Sequence, residues 1–178
     1  MEKIGIFCSA SDSIDKIYFL KASELGEWMG QHKKTLVYGG ASLGLMECMA
    51  KAVKQNGGTT IGVIPTKLEE YGKVSSFLDE TYKTKNLSDR KDLIVEKSDI
   101  LVALPGGIGT LDEIFHVMAA ASIGYHSKKV VFYNVEGFYN ELIDLLNSFS
   151  EKSFTRHELC YYFKVANSFE ELTSLINQ

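Results

Sequence analysis

Leu104-Pro105-Gly106-Gly107-Ile108-Gly109-Thr110-Leu111-Asp112-Glu113 runs from a short apolar segment, through a glycine-rich turn, into an apolar helical pattern. A strand that feeds a helix through such a turn is the repeating unit of parallel α/β folds, and this turn has the chemistry of an anion cradle. Its three glycines let the backbone approach an anion closely and take positive φ angles. The free N–H groups at the following helix start, with the helix dipole, supply partial positive charge. Gly106, Gly107, Ile108, Gly109 and Thr110 therefore read as a phosphate-binding loop. Glu113, one turn into the helix, would repel a phosphate, so its carboxylate is expected to face another part of the ligand and to take part in chemistry.

Outward from this stretch, the hydrophobic period switches repeatedly between short β-like runs and longer helical ones. Strands are expected at Ile4 to Cys8, Thr35 to Tyr38, Thr60 to Ile64, Thr81 to Lys85, Ile100 to Leu104, Val130 to Tyr133 and Phe163 to Ala166. Several are short and almost wholly apolar, as when both sheet faces are buried. Ile14, Ile17, Tyr18, Leu25, Trp28 and Met29 line one helical face, capped by Asp12 or Ser13. Further helices are expected over Leu43 to Gln55, ended by Asn56-Gly57-Gly58, and over Leu87 to Ser98, Thr110 to Ile123, Phe138 to Asn147 and Phe169 to Ile176. Ser168 and Glu171 form a capping-box pattern before the last of these. The fold class is α/β: a Rossmann-like, doubly wound parallel sheet of about seven strands with helices on both faces, whose ligands bind outside the carboxyl ends of the strands.

With 178 residues, 45% of them hydrophobic and 24% charged, the chain reads as one globular domain. Its net charge of -4 and lack of a basic run argue against nucleic acid as a partner. No apolar segment reaches the roughly 20 residues a bilayer span needs. The N-terminus goes directly into a strand-like run, so no membrane association and a cytoplasmic location are expected. Cys8, Cys48 and Cys160 lack metal-ligand spacing and read as buried free thiols.

Two further strand-to-helix turns are small and polar: Ser9-Ala10-Ser11-Asp12 and Gly39-Gly40-Ala41-Ser42-Leu43-Gly44. All three turns should gather along one sheet edge, which makes Ser9 and Gly40 candidate ligand contacts, although a glycine pair also serves close helix–strand packing. The first turn lacks a G-x-G-x-x-G fingerprint and no Gly-Lys-Ser/Thr follows the glycines, which argues against dinucleotides and against a Walker loop. A mononucleotide or sugar-phosphate pocket remains. Arg90, with Lys91, opens a helix near a strand's carboxyl end, where a guanidinium can fork onto phosphate or carboxylate oxygens. The helix after the glycine loop is apolar around most of its circumference, which calls for a homodimer to cover part of it. His116 on that helix is a candidate ligand contact, but three residues from Glu113 it more readily reads as that residue's structural partner.

These residues carry a resemblance. Pro105-Gly106-Gly107-x-Gly109-Thr110-x-x-Glu113, Arg90-Lys91, Tyr38-Gly39-Gly40 with Gly44-Leu45-Met46, Gly62-Val63-Ile64-Pro65 and Asn134-Val135-Glu136-Gly137-Phe138-Tyr139-Asn140 together resemble the LONELY GUY (LOG) family. Its members are phosphoribohydrolases that release adenine-type bases from nucleoside monophosphates, and an older usage calls them lysine-decarboxylase-like. The resemblance runs nearly end to end. It implies a Rossmann-like homodimer with active sites near the interface, Arg90 and Glu113 as the catalytic pair, Gly106 to Thr110 as the phosphate loop, and a nucleoside 5′-monophosphate substrate.

N-glycosidic cleavage fits these groups: the ribose becomes cationic as the bond breaks, and a carboxylate stabilises it and activates the attacking water. Arg90 keeps its proton at neutral pH, so it holds the 5′-phosphate or orients Glu113. Neither a metal nor an organic cofactor is called for. A decarboxylase would need a pyridoxal-phosphate lysine with an acidic partner, which nothing singles out. The chain departs from the family pattern at Ala41 (for glycine), Glu47 (for glycine), Leu87 (for methionine), and Ala119, Ala120 and Ser122 (for threonine, tryptophan and glutamine). Leu87 keeps apolar volume, whereas the last three alter a pocket wall or the dimer contact. A family acidic residue after Gly62-Val63-Ile64-Pro65 has only loose counterparts in Glu69 and Glu70. The competing function is a non-catalytic nucleotide sensor or carrier on the same fold.

Overall fold

The computed structural model describes residues 2–178. Seven strands form its centre: β1 (Lys3–Phe7), β2 (Thr35–Tyr38), β3 (Thr59–Pro65), β4 (Glu80–Thr84), β5 (Ile100–Ala103), β6 (Val130–Tyr133) and β7 (Phe163–Ala166). They pair in the order β4-β3-β2-β1-β5-β6-β7, and every pairing is parallel. Six α-helices connect them and a seventh follows β7: α1 (Lys16–Gln31), α2 (Gly44–Gln55), α3 (Thr66–Glu70), α4 (Leu87–Lys97), α5 (Ile108–Ser122), α6 (Asn140–Glu151) and α7 (Phe169–Ile176).

Strand side chains alternate between two cores because successive residues point to opposite sheet faces. Ile4, Ile6, Leu36 and Tyr38 pack with Leu25 and Met29 of α1, Leu45 and Met49 of α2, and Leu172 of α7. Phe7, Val37, Leu101 and Phe132 pack on the other face with Ile94 of α4, Ile114 and Val117 of α5, and Leu146 of α6. The doubly wound α/β expectation holds, and among the described residues no helix is long and apolar enough to cross a membrane.

Several local expectations are corrected. Asp15, not Asp12 or Ser13, caps α1, its carboxylate accepting from the Ile17 N–H at 3.1 Å. Asp12 instead accepts from the Gly44 N–H at 2.9 Å, so the first turn is tied to the second and the helix starts later. α5 begins at Ile108 rather than Thr110, which draws part of the glycine loop into the helix. The five-residue α3 has no counterpart in the sequence reading. Ser168 accepts from the Glu171 N–H as the capping box requires, while Glu171 reaches back to the Asn167 N–H rather than to that of Ser168. Of the three free cysteines only Cys8 is buried; Cys48 is half-buried and Cys160 exposed.

Candidate active site

The strand order reverses direction between β1 and β5, and helices leave to opposite faces there, so the carboxyl ends of these strands open a crevice. The three polar turns meet in it. The Ser9 N–H donates to the Pro105 carbonyl at 3.1 Å, and the Leu45 N–H donates to the Ser9 carbonyl at 2.9 Å. The glycine loop is held from behind by Tyr139, whose hydroxyl donates to the Leu104 carbonyl at 2.6 Å in a fully buried position. Gly107 occupies the N-cap position of α5 and brings no capping side chain, leaving first-turn amides available to an anion.

Opposite the loop, Asn86 caps α4 by accepting from the Asp89 N–H at 2.9 Å, which fixes where the next residues point. Arg90 and Lys91 then face two consecutive acids of α5. The Arg90 Nη2 lies 3.6 Å from Glu113 Oε1. Lys91 Nζ lies 2.8 and 2.9 Å from the two Asp112 carboxylate oxygens. The acids are adjacent in sequence yet diverge around the helix: Glu113 is buried and Asp112 exposed. Burial pushes the Glu113 carboxyl up to about 7; the Arg90 charge opposes that rise, Asp112 adds to it and Lys91 opposes it. A carboxyl that titrates near neutrality is matched to proton transfer. The cavity holds about 300 Å3, and its wall includes Cys8, Ser9, Gly39, Met46, Leu87, Arg90, Thr110 and Glu113. Burial, with the nearby Glu113 charge, raises the Cys8 thiol well above its ordinary range, so it is a neutral wall rather than a nucleophile.

Residues 46–176 match the family described as "Possible lysine decarboxylase". The Arabidopsis thaliana protein named cytokinin riboside 5′-monophosphate phosphoribohydrolase LOG1 is 35% identical over 171 residues, 96% of this chain and 80% of its own. The chain belongs to the LOG family. The rice protein LOGL9, named a probable cytokinin riboside 5′-monophosphate phosphoribohydrolase, is 41% identical over 79% of this chain, and the matched region spans 62% of LOGL9's length. A solved structure described as the Moco carrier protein from Chlamydomonas reinhardtii superposes with a TM-score of 0.76 at 26% identity, covering 99% of this chain and 96% of that one.

The LOG signature is displayed unevenly around the cavity. Ser9, Lys91, Gly107, Gly109 and Thr110 line it together with Arg90 and Glu113. Gly106 and Ile108 lie in the loop but outside the wall: a Cβ on Gly106 would strike Thr110 and come within 3.0 Å of the Ser9 nitrogen, and the Ile108 side chain is 84% exposed. None of the three loop glycines has a positive φ, which corrects that expectation. Gly106 serves close packing, and Gly107 and Gly109 leave open space above the backbone. Gly40 is displaced from the wall and its neighbour Gly39 stands there instead. His116 pairs with Asp92 at 2.8 Å rather than with Glu113.

The positions where the chain departs from the LOG pattern divide by location. Leu87 lines the cavity, but Ala119 and Ser122 line a separate apolar hollow with Phe115 and Phe154, and Ala120 lines another. Glu69 is paired with Lys83 at 2.7 Å, and neither it nor Glu70 borders the site. Sequence reasoning missed Gly39, Met46 and Tyr139 as builders of the site. Each lies within a segment that carried the family resemblance, and only the position of its neighbours assigns it a task.

Proposed function

We propose that the protein hydrolyses the N-glycosidic bond of a nucleoside 5′-monophosphate, AMP or an N6-modified (cytokinin) relative, to free base and ribose 5-phosphate. The observation that carries this reading is the buried Glu113 carboxyl, poised near neutrality and 3.6 Å from Arg90, beside a helix N-terminus with open amides. The phosphate sits on the α5 N-terminus, which leaves the ribose against Glu113. As the bond from C1′ to the base nitrogen lengthens, its electron pair leaves with the base and positive charge develops on the ribose. The Glu113 carboxylate stabilises that charge and takes a proton from the water that attacks C1′. The departing base acquires a proton from solvent. Arg90 keeps Glu113 ionised and aimed. In this reading the protein is a homodimer in which the exposed face of α5 meets its copy.

A second reading, a non-catalytic nucleotide carrier, is favoured by the likeness to a structure described as a carrier. A carrier of an anionic ligand has no use for a carboxylate in the same cavity, which ranks it second. Chromatographic detection of base release from AMP and from N6-prenylated AMP separates the two. Wild-type protein is expected to release base, and Glu113→Ala and Arg90→Ala to lose at least about a hundredfold in rate. Binding of both nucleotides without cleavage of either establishes the carrier instead.

A further inference from the structure

Gly39 and Gly40 are indistinguishable as letters, yet they meet different neighbours. Gly40 has φ +69°, and a Cβ on it would run into the Ile64 side chain. Its reason is backbone conformation. Gly39 has no positive φ, so an L side chain is admissible to its backbone. The three atoms nearest to a Cβ there all belong to the Arg90 guanidinium: it collides with Nη2, comes within 2.8 Å of Cζ and lies 3.2 Å from Nε. Nη2 is also the atom that faces Glu113 Oε1, and the buried Arg90 Nε has no hydrogen-bond partner. No hydrogen bond at Nε fixes the guanidinium, so contact with the bare Gly39 Cα limits where it can lie.

We propose that Gly39 is the positioning residue for Arg90: its missing side chain is the seat on which the guanidinium rests, and that seat sets the approach of Nη2 to Glu113. This rests on the reading of Arg90 and Glu113 as the working pair. The β2–α2 turn thereby acts on the chemistry through a steric absence, with no group that touches the substrate's reacting atoms. The obstructed atoms are the far end of a flexible side chain, so a methyl group at this position displaces the arginine at little cost to the fold.

The test is a cycle of Gly39→Ala, Arg90→Lys and the double variant, with Gly40→Ala as the strained-backbone comparison, read by kcat and KM for base release and by thermal melting. Gly39→Ala is expected to melt within about 3 °C of wild type while kcat falls ~10- to 100-fold, the scale of a misplaced catalytic group. In the Arg90→Lys background the same methyl costs less than about twofold in kcat, because no guanidinium is left to displace. Gly40→Ala is expected to lower the melting temperature more than Gly39→Ala does. A kcat for Gly39→Ala within about twofold of wild type overturns the proposal. So does a full loss in the Arg90→Lys background as well. Crystal structures of wild type and Gly39→Ala decide the matter independently of turnover. Arg90 Nη2 displaced from Glu113 upholds the seat, and an unmoved arginine over a shifted backbone refutes it. A wild-type protein that releases no base removes the hydrolase reading and leaves the seat to be judged on that structural comparison.

Discussion

Glu113 is the residue at which stability and the proposed activity oppose each other. Its carboxyl is raised from 4.5 to about 7 mainly by burial, so the folded state binds this proton more tightly than the unfolded chain does. The associated stabilisation is fully present below about pH 4.5 and is lost as pH rises through about 7. At pH 8 the folded protein carries a buried carboxylate that Arg90 compensates only in part. Glu113→Gln keeps the shape and removes the charge. It is expected to melt higher than wild type at pH 8, by the equivalent of about 1–3 kcal/mol, and to lose that advantage at pH 4.5. Melting curves of both proteins across this range check it, and a constant difference at all pH values refutes the buried-charge account. On the proposed mechanism the same titration governs rate: turnover is expected to rise with pH through about 7 as the carboxylate forms, and Asp112→Asn, which removes a neighbouring negative charge, to move that rise to lower pH in a pH–rate profile.

Between elements, the glycine loop depends on what lies behind it. Tyr139, just ahead of α6, spans to the end of β5 with a hydroxyl-to-carbonyl bond of 2.6 Å whose two ends are both buried. Tyr139→Phe leaves the Leu104 carbonyl unsatisfied, which costs about 1–3 kcal/mol. At this chain length that is a fall in melting temperature of ~2–4 °C per kcal/mol. On the proposed mechanism the loop holds the phosphate and does not react, so the nucleotide KM is expected to rise more than kcat falls. A melting temperature within 1 °C of wild type shows that the bond does not support the loop.

Tyr139 also marks where sequence reading stops. Its segment carried a family pattern, but no local pattern shows that a tyrosine at 139 reaches residue 104. β2, β6 and β7 are legible to the residue because apolar runs bounded by turn signals reflect local demands. α3 and the chain after it are not, because α3 is five residues long and shows no period. Residues 73–75 are placed by bonds across more than thirty residues: the Ser42 N–H to the Lys73 carbonyl at 2.8 Å and the Ser75 N–H to the Gly40 carbonyl at 2.9 Å. The sequence offers Asp12 or Ser13 as the cap of α1, and Asp15 carries the same capping chemistry three residues on. The Gly44 amide claims Asp12 and leaves the helix to Asp15.

For the molecule as a whole, the strand order brings residues 9, 39, 90 and 113 to one point and also leaves one surface unfinished. Ile108, Phe115 and Ile123 are 84%, 38% and 58% exposed, and spacings of seven and eight residues place them along one side of α5 and its C-terminal end. Ala119 and Ser122, where the family pattern is broken, lie along the same side. Fully covering a side chain of this size is worth about 1.5–3 kcal/mol, which favours a two-fold pairing of α5 with its copy. Light scattering is expected to give a mass of twice 19.9 kDa. Phe115→Asp, which puts a charge at the middle of the stripe, is expected to give the single-chain mass with an unchanged circular dichroism spectrum. A wild-type mass of 19.9 kDa removes the dimer outright. Because Ile108 belongs both to this stripe and to the glycine loop proposed to hold the phosphate, separating the chains should also loosen the loop and raise KM several-fold. A monomeric Phe115→Asp protein with the wild-type KM would mean that each chain completes its own phosphate site and that the interface serves stability alone.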